Sequence, residues 1–385
     1  MVDQCCFPIL RNFRSFEVKG NENFHNFDFE QVCPPWLLEN GIAAAPELAI
    51  LRIHQLLIEH SLSYHQFTHL DVQWDKDPDH LLHVLGLCAE LQVLQVRCFY
   101  GREEPPQVTP ITLSALQSLH IGVSHSAFAQ IQILFGSLTL PSLHSLELRF
   151  HMGDAPPNNR PIMARGIELG FPALLNMLIH SSDKLKKLSL VFFFYIPHDD
   201  IFEVLKSCPS LDTLELQCIP SHRHSQYHIQ FVSFLIQRLI LGVHPWSAHS
   251  WGTRNPPLLP KLRNLLIHMK SPATSPPEEM IRCILDMVES RSRSMNAIST
   301  DADPKTSLLQ NVSISFRDIK EHCWKDSKDC RSLLHCSTLL DRLATLEEHG
   351  TKCMIEWSTQ RGTASPRLPM YTDADSDELD EEDSD

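Results

Sequence analysis

The feature that most constrains the fold is a recurring motif of three apolar residues. The first is followed by two variable positions, the second by one variable position, and the third completes the motif. Ten clear copies begin at Phe13, Leu48, Phe67, Leu91, Leu116, Leu143, Leu185, Leu211, Leu262 and Leu309, and a weaker copy begins at Ile236. The starts advance by 19, 24, 25 and 27 residues from Leu48 to Leu143, and by 26, 25 and 26 from Leu185 to Leu262. So many copies at a near-constant step indicate one structural unit used repeatedly.

The end of each motif predicts a short β-strand, because apolar and polar residues alternate there with a period of two. The remaining residues must return the chain to the start of the next strand, and several returns have helical signals. Residues 79–85 follow Pro78, and residues 199–205 open with acids that favour a helix N-terminus. Residues 275–280 combine a capping Ser275 with early prolines and acids.

A period of 20 to 29 residues with this motif is typical of leucine-rich repeats. The sequence therefore predicts an α/β fold, a leucine-rich-repeat solenoid (horseshoe) of about ten repeats of 24–27 residues. Its parallel strands would form the concave sheet and its helices would lie outside. One repeat cannot bury its apolar face alone, so neighbouring repeats must supply the common core.

Composition divides the chain into four parts. We expect an N-terminal leader at 1–10, the solenoid at 11–320, a C-terminal cap at 321–360 and a disordered acidic tail at 361–385. Within the solenoid, residues 151–170 and 244–260 are rich in proline and predict surface loops. The cap would contain a helix from Ser337 to a C-capping Gly350, followed by a strand at Lys352–Trp357.

The charge distribution argues against nucleic-acid binding. The net charge is −14, and nine acids without any Lys or Arg lie between Asp373 and Asp385. The rest of the chain carries 33 basic and 38 acidic residues, so it lacks the basic surface that a phosphate backbone needs. Such a dense run of like charges is typical of a solvated, disordered segment.

Signals for secretion or membrane insertion are missing from the sequence. Residues 1–14 contain no apolar signal core, and no stretch reaches the apolar length of a membrane span. Twelve cysteines are scattered without a CxxC pair. We therefore expect reduced thiols in a cytoplasmic or nuclear protein.

Motifs of common enzymes are also missing, since GxSxG, Walker A, HExxH and GxGxxG do not occur. We expect no enzymatic activity and no cofactor. Two clusters could suggest a metal. They are His222, His224 and His228, and Cys323, Cys330, His335 and Cys336. In the first, His224 and His228 have HxxxH spacing but no CxxC pair accompanies them, and the second has neither spacing, so no metal is expected.

The candidate binding residues are the polar positions that alternate with the apolar motif. The central position is occupied successively by Arg52, Asp71, Gln95, His120, Glu147, Ser189 and Glu215. The same predicted face includes His54, His69, Arg97, Arg149, Lys187 and Gln217. This row is either an ordinary solvated strand face or the main contact surface for a partner, because solenoids often bind through their concave side. Trp246 and Trp251 could be binding anchors, although packing against the nearest repeat is the favoured interpretation.

Three segments resemble the leucine-rich-repeat region of F-box proteins from mushroom-forming fungi. They are CAELQVLQVRC at Cys88–Cys98, LPSLHSLELRF at Leu140–Phe150 and CPSLDTLELQC at Cys208–Cys218. In that family an N-terminal F-box binds the Skp-type adaptor of a cullin-RING ubiquitin ligase, and the repeats hold the substrate. The first motif here begins at Phe13, which leaves no room for the three helices of an F-box.

Three functions therefore remain open. The chain is the substrate-recognition part of an F-box ligase shortened at its N-terminus, or a stand-alone scaffold or inhibitor, or, least favoured, a hydrolase with an unfamiliar active site. An F-box upstream of Met1 would separate the first from the second. An adaptor is an expected partner only in the first case, whereas a protein partner on the concave face is expected in both.

Overall fold

The computed structural model describes fourteen segments of the chain. They are residues 14–17, 45, 47–53, 63–74, 78–98, 109–124, 128–151, 172–191, 198–218, 225–240, 258–270, 278–296, 309–317 and 337–357. The predicted leader and the acidic tail lie outside these segments, as do nearly all residues of the two predicted loops and both possible metal clusters except the backbone of His228.

An eleven-stranded parallel sheet is the main element of the described structure. Its strands pair in the order in which they occur along the chain: β1 (Ser15–Glu17), β2 (Ile50–Ile53), β3 (His69–Trp74), β4 (Val93–Cys98), β6 (Ser118–Ser124), β8 (Ser145–His151), β9 (Lys187–Val191), β10 (Thr213–Cys218), β11 (Asn264–Lys270), β12 (Asn311–Arg317) and β13 (Lys352–Trp357). The short β5 (Ile111–Thr112) and β7 (Leu138–Thr139) make a separate parallel pair. Every strand of the long sheet therefore pairs only with the strands next to it in this order.

Helices occupy many of the returns between strands, so the fold is mixed α/β. They are α1 (Pro78–Leu87), α2 (Phe128–Ser137), α3 (172–179), α4 (His198–Lys206), α5 (Ser225–Leu239), α6 (Glu278–Asn296) and α7 (Ser337–Glu348), with a 3-10 turn at Tyr64–Gln66. Helix α5 packs on α6, which also contacts α7. In the described part of the chain, no helix is both long and apolar enough to cross a membrane.

The core consists of the apolar motif residues, aligned across the strands by the register. Leu70, Leu94, Leu119, Leu146 and Leu188 are paired in successive strands and are almost fully buried. A second row two residues further along runs through Val72, Val96, Ile121, Leu148, Leu190, Leu216, Ile267 and Ile314, all buried. The alternation predicted from the sequence is therefore confirmed in most strands, which bury one set of alternate side chains. Strand β9 is an exception, because Ser189 and Val191 are buried together with Leu188 and Leu190.

Most sequence-predicted elements within the described residues are confirmed. Residues 79–85 and 199–205 lie in α1 and α4, and the predicted C-terminal helix and strand are α7 and β13. Gly350 has a φ of 83° and follows α7, as the left-handed end of a helix requires. Helix α6 contains the acids at 278 and 279, while its predicted cap at Ser275 lies outside the described residues.

The weaker motif copy at Ile236 was wrongly predicted to begin a repeat strand. Ile236 and Leu239 belong to helix α5, and β10 pairs directly with β11. Apolar residues three apart also fit one face of a helix, and both side chains are fully buried together with Val232 and Leu235. The return from β10 to β11 is therefore about twice as long as predicted.

Helix α6 also carries a buried arginine. Only 1% of the Arg291 surface is exposed, and its guanidinium donates hydrogen bonds to three main-chain carbonyls. The acceptors are Leu239 at 3.0 Å, Leu259 at 3.1 Å and Leu258 at 2.8 Å. Leu239 ends α5, so its carbonyl has no helical partner and needs such a donor. Arg291 thus connects α6 by hydrogen bonds to the end of α5 and to the segment that precedes β11.

Candidate functional site

The sheet register brings the predicted polar residues into one continuous row. Arg52 pairs with Asp71, Asp71 with Gln95, Gln95 with His120 and His120 with Glu147. The row continues through Ser189 and Glu215 to Leu266, Ser313 and Met354. Parallel rows on the same face contain His69, Ser118, Ser145, Lys187, Thr213, Asn264 and Asn311 on one side, and Arg97, Gly122, Arg149, Val191, Gln217, His268 and Ser315 on the other. We call these three rows the polar face.

Ser189 departs from the prediction of a solvent-facing row. It is only 1% exposed, whereas Arg52 is exposed and Asp71, Gln95, His120, Glu147 and Glu215 are half-buried. Ser189 lies between Glu147 and Glu215 in the register, and its side chain is shorter than either. Its hydroxyl is therefore covered and is removed from the candidate contact residues.

The flanking candidates are placed unevenly. His69 is half-buried, while Lys187 and Arg149 are exposed at the two sides of the polar face. The backbone of Arg97 pairs with Gln73 and Gly122, but its side chain is not among those described. His54, Trp246 and Trp251 lie outside the described residues.

Four side chains of β6 and β8 form a connected polar cluster. His120 Nδ1 lies 3.1 Å from Glu147 Oε2, and Arg149 donates to Glu147 Oε1 at 3.0 Å. Ser118 Oγ lies 2.9 Å from His120 Nε2. The hydrogen bond from His120 is the leading cause that lowers the pKa of Glu147 to about 2, and Arg149 adds to it against the opposing effect of burial. Glu147 is therefore ionised at neutral pH and accepts from both neighbours.

This cluster has the atom order of a serine hydrolase triad. A neutral His120 that donates from Nδ1 to Glu147 can accept the Ser118 hydroxyl proton at Nε2. An acyl-transfer site also needs donors for the developing oxyanion. The main-chain N–H groups of Ser118 and Ser145 instead donate within the sheet, to Gln92 and Gln117. The local backbone therefore does not supply an oxyanion hole here.

A fluorophosphonate probe is accordingly expected not to label Ser118. The probe needs both an activated hydroxyl and stabilised negative charge on phosphorus, and the strand provides only the first. Mass spectrometry of the treated chain, with Ser118→Ala as the control, measures the modification. Stoichiometric labelling of Ser118 that is lost in the variant would contradict the expectation and favour the hydrolase alternative.

The depressed pKa of Glu147 predicts a pH-dependent contribution to stability. A lowered carboxyl pKa stabilises the fold above the ordinary value of 4.5, and this contribution is lost as pH falls toward about 2. Allowing for screening by solvent, Glu147→Gln should lower the free energy of unfolding by about 2 kcal/mol at pH 7. The difference from the unsubstituted chain should shrink between pH 4.5 and 2.5 in urea unfolding.

The exposed Glu203 provides a matched control for that experiment, because it pairs with Lys206 on the surface of α4. Glu203→Gln should change stability by less than about 0.5 kcal/mol at every pH. A parallel pH dependence in the unsubstituted chain and in Glu147→Gln would show that the cluster does not stabilise the fold.

The end of the polar face nearest β13 has a different character, which the sequence analysis missed. Asn311 donates to Asn264 Oδ1 at 2.7 Å, and Asn264 donates to Asp212 at 2.9 Å. Beside these amides the central row carries Leu266, Ser313 and Met354. Extending the central motif position beyond Glu215 would have found this change from charged to apolar residues.

Two further observations concern other kinds of site. The described residues contain no group of three side chains able to hold a metal ion. A pocket of about 360 Å³ lies beside helices α2 and α3, away from the polar face, lined among others by Phe135, Met177 and His180. The sequence-predicted residues do not line it.

No protein-family model matches this chain, and no curated protein is detectably similar to it.

Proposed function

We propose that this chain is a leucine-rich-repeat protein that binds another protein through the polar face. One observation carries the proposal: the register joins side chains that are about 19 to 42 residues apart in sequence into one row of charged and polar groups. Consecutive parallel strands, each from one motif copy, are the arrangement expected of such repeats. The concave side of the horseshoe would then be the polar face.

The composition of this face favours a protein ligand over a small molecule. It extends across ten strands, from β2 to β13, and strands lie about 4.8 Å apart, so it spans roughly 43 Å. Acidic, basic, amide and apolar groups follow one another along it, from Arg52 through Glu147 to Leu266 and Met354. Protein interfaces combine such groups, whereas small-molecule sites are concave pockets that enclose their ligand.

Site-specific photocrosslinking tests this proposal. A photoreactive phenylalanine analogue at Arg52 or Gln95 should crosslink one discrete protein in an extract of the source cells. The same analogue at His83 or Glu90, which are exposed on or beside α1 and off the polar face, is the control. Equal crosslinking from both sets of positions, or none from the polar face, would count against the proposal.

A substitution of Arg149 tests the contribution of a polar-face charge to partner binding, but this side chain is paired with Glu147. Arg149→Glu would place a second carboxylate beside Glu147, so any loss of binding would be mixed with local repulsion. Arg149→Gln keeps a donor and removes the charge. Arg149→Gln should lower the affinity for the crosslinked partner. It should not change the melting temperature by more than about 2 °C, because exposed ion pairs contribute little to stability.

A role in ubiquitin ligation is proposed from the resemblance alone. In that reading the polar face holds the substrate, and an F-box encoded upstream of Met1 binds the adaptor. Mapping the 5′ end of the transcript and translating the reading frame upstream of Met1 tests this role. An in-frame F-box supports the ligase receptor, whereas a stop codon immediately upstream leaves the stand-alone scaffold in the cytoplasm or nucleus as the proposed role.

A further inference from the structure

The charges on the polar face are arranged with the cations outermost. In the pair between β8 residues, the Arg149 side chain is 49% exposed and that of Glu147 is 21% exposed. In the pair between β9 and β10, Lys187 is 47% exposed and Glu215 is 25% exposed, with the two charged atoms 3.5 Å apart. An approaching ligand therefore meets the guanidinium and the ammonium before it meets the carboxylates.

This outward positive charge contrasts with the rest of the chain. The protein carries a net charge of −14, and nine of its acids lie in residues 373–385, which contain no Lys or Arg. The same chain thus contains a strongly acidic segment, 373–385, and a polar face on which Arg149 and Lys187 are the most exposed charges of their ion pairs. Opposite charges of this kind guide association even where each contact is weak.

The connecting segment has the length needed to join them. Fifteen residues, 358–372, separate Trp357, the end of β13, from Asp373. A flexible segment of that length has a root-mean-square extension of about 22 Å. Lys187 lies four strands from β13 and Arg149 lies five, which correspond to about 19 and 24 Å along the sheet. The effective concentration of a tethered ligand is greatest when its tether matches the span in this way.

We propose that the acidic segment 373–385 binds within its own chain to the cations of the polar face around Arg149 and Lys187. The occupant is thus a peptide segment rich in carboxylates, held by tethering and by ion pairs with the outward guanidinium and ammonium. Where the polar face also binds a partner, which rests on the proposed function, the segment competes with that partner and lowers its apparent affinity.

A peptide-binding experiment on the full-length chain tests this docking. The probe is a fluorescently labelled synthetic peptide of residues 371–385, and its binding is followed by fluorescence anisotropy. A second full-length chain has the nine acids replaced by Asn and Gln, so that its own tail no longer competes. The peptide should bind this tail-neutral chain about fivefold or more tightly than the unsubstituted chain. Raising NaCl from 20 to 300 mM should weaken that binding, since exposed charges are screened.

Charge-matched variants locate the binding surface. In the tail-neutral chain, the double substitution Arg149→Gln and Lys187→Gln should lower the affinity for the peptide by about fivefold or more. Lys184→Gln with Lys206→Gln removes the same charge from exposed positions off the polar face and should leave the affinity unchanged. Equal affinities in both double variants, or equal binding to the unsubstituted and tail-neutral chains, would overturn the proposal.

Carbodiimide crosslinking of the unsubstituted chain gives an independent readout that needs no variant. It joins a tail carboxylate to a contacting lysine amine with loss of water. Mass spectrometry should find intramolecular links from 373–385 to Lys187 in excess of links to Lys184 or Lys206, and an even distribution would overturn the docking. Because neither assay contains a partner protein, failure here removes the tail docking alone, whereas the photocrosslinking decides the partner face.

Discussion

Replacing Arg291 by methionine is expected to lower the free energy of unfolding by about 3 kcal/mol or more, because buried carbonyls without donors are costly. The guanidinium donates to Leu239, Leu258 and Leu259, and methionine fills similar space but donates nothing. Relief from burying a charge offsets part of this cost. Burial lowers the pKa of Arg291 to about 10, so the group is still cationic at neutral pH. Urea unfolding monitored by circular dichroism measures the change.

Two further variants separate the hydrogen bonds from the charge. Arg291→Lys keeps the charge but presents one nitrogen instead of a planar fork, so it should recover only part of the loss. Arg263→Met, at an exposed position immediately before β11, should change stability by less than about 0.5 kcal/mol. If Arg291→Met unfolds at the same urea concentration as the unsubstituted chain, the three carbonyls do not depend on this side chain.

Truncating Leu146 to alanine should also cost about 3 kcal/mol, through lost burial and the cavity that remains. Leu146 is fully buried at the middle of the sheet, paired with Leu119 on one side and Leu188 on the other. Both neighbours are fixed by the sheet register, so the site cannot collapse readily around the smaller side chain. Thermal and urea unfolding should both show the loss.

His144→Ala is the control for Leu146→Ala. His144 immediately precedes β8 and is exposed, so its truncation should change stability by less than about 0.5 kcal/mol. Similar losses from the two substitutions would contradict the assignment of Leu146 to the buried core and of His144 to the surface.

The regular part of the fold could be predicted because its determinants are local. Alternation of apolar and polar residues assigns each side chain to a face before any partner strand is known. That is why the row from Arg52 to Glu215 emerges in the predicted order. Local spacing was ambiguous at Ile236, where the same apolar intervals fit a helix, and the prediction failed there.

The details of the polar face depend on contacts between residues distant in sequence. Burial of Ser189 follows from the lengths of Glu147 and Glu215 in adjacent strands, which no single repeat reveals. The bond between His120 and Glu147 joins residues 27 positions apart. Arg291 stands in a polar stretch, Glu289 to Ser294, that reads as solvent-exposed. Its burial depends on hydrogen bonds to the carbonyls of Leu239 and Leu258, which are distant in sequence.

The strict sequential order of the eleven strands has a mechanical consequence. In the described sheet, no strand is paired between two strands that are remote from it along the chain, since each pairs only with the preceding and the following strand of the sheet. A pulling force on the two ends would therefore peel strands away one after another, in many small steps. Such a molecule yields gradually under load, and a segment detached at one end can pair again without disturbing the strands at the other.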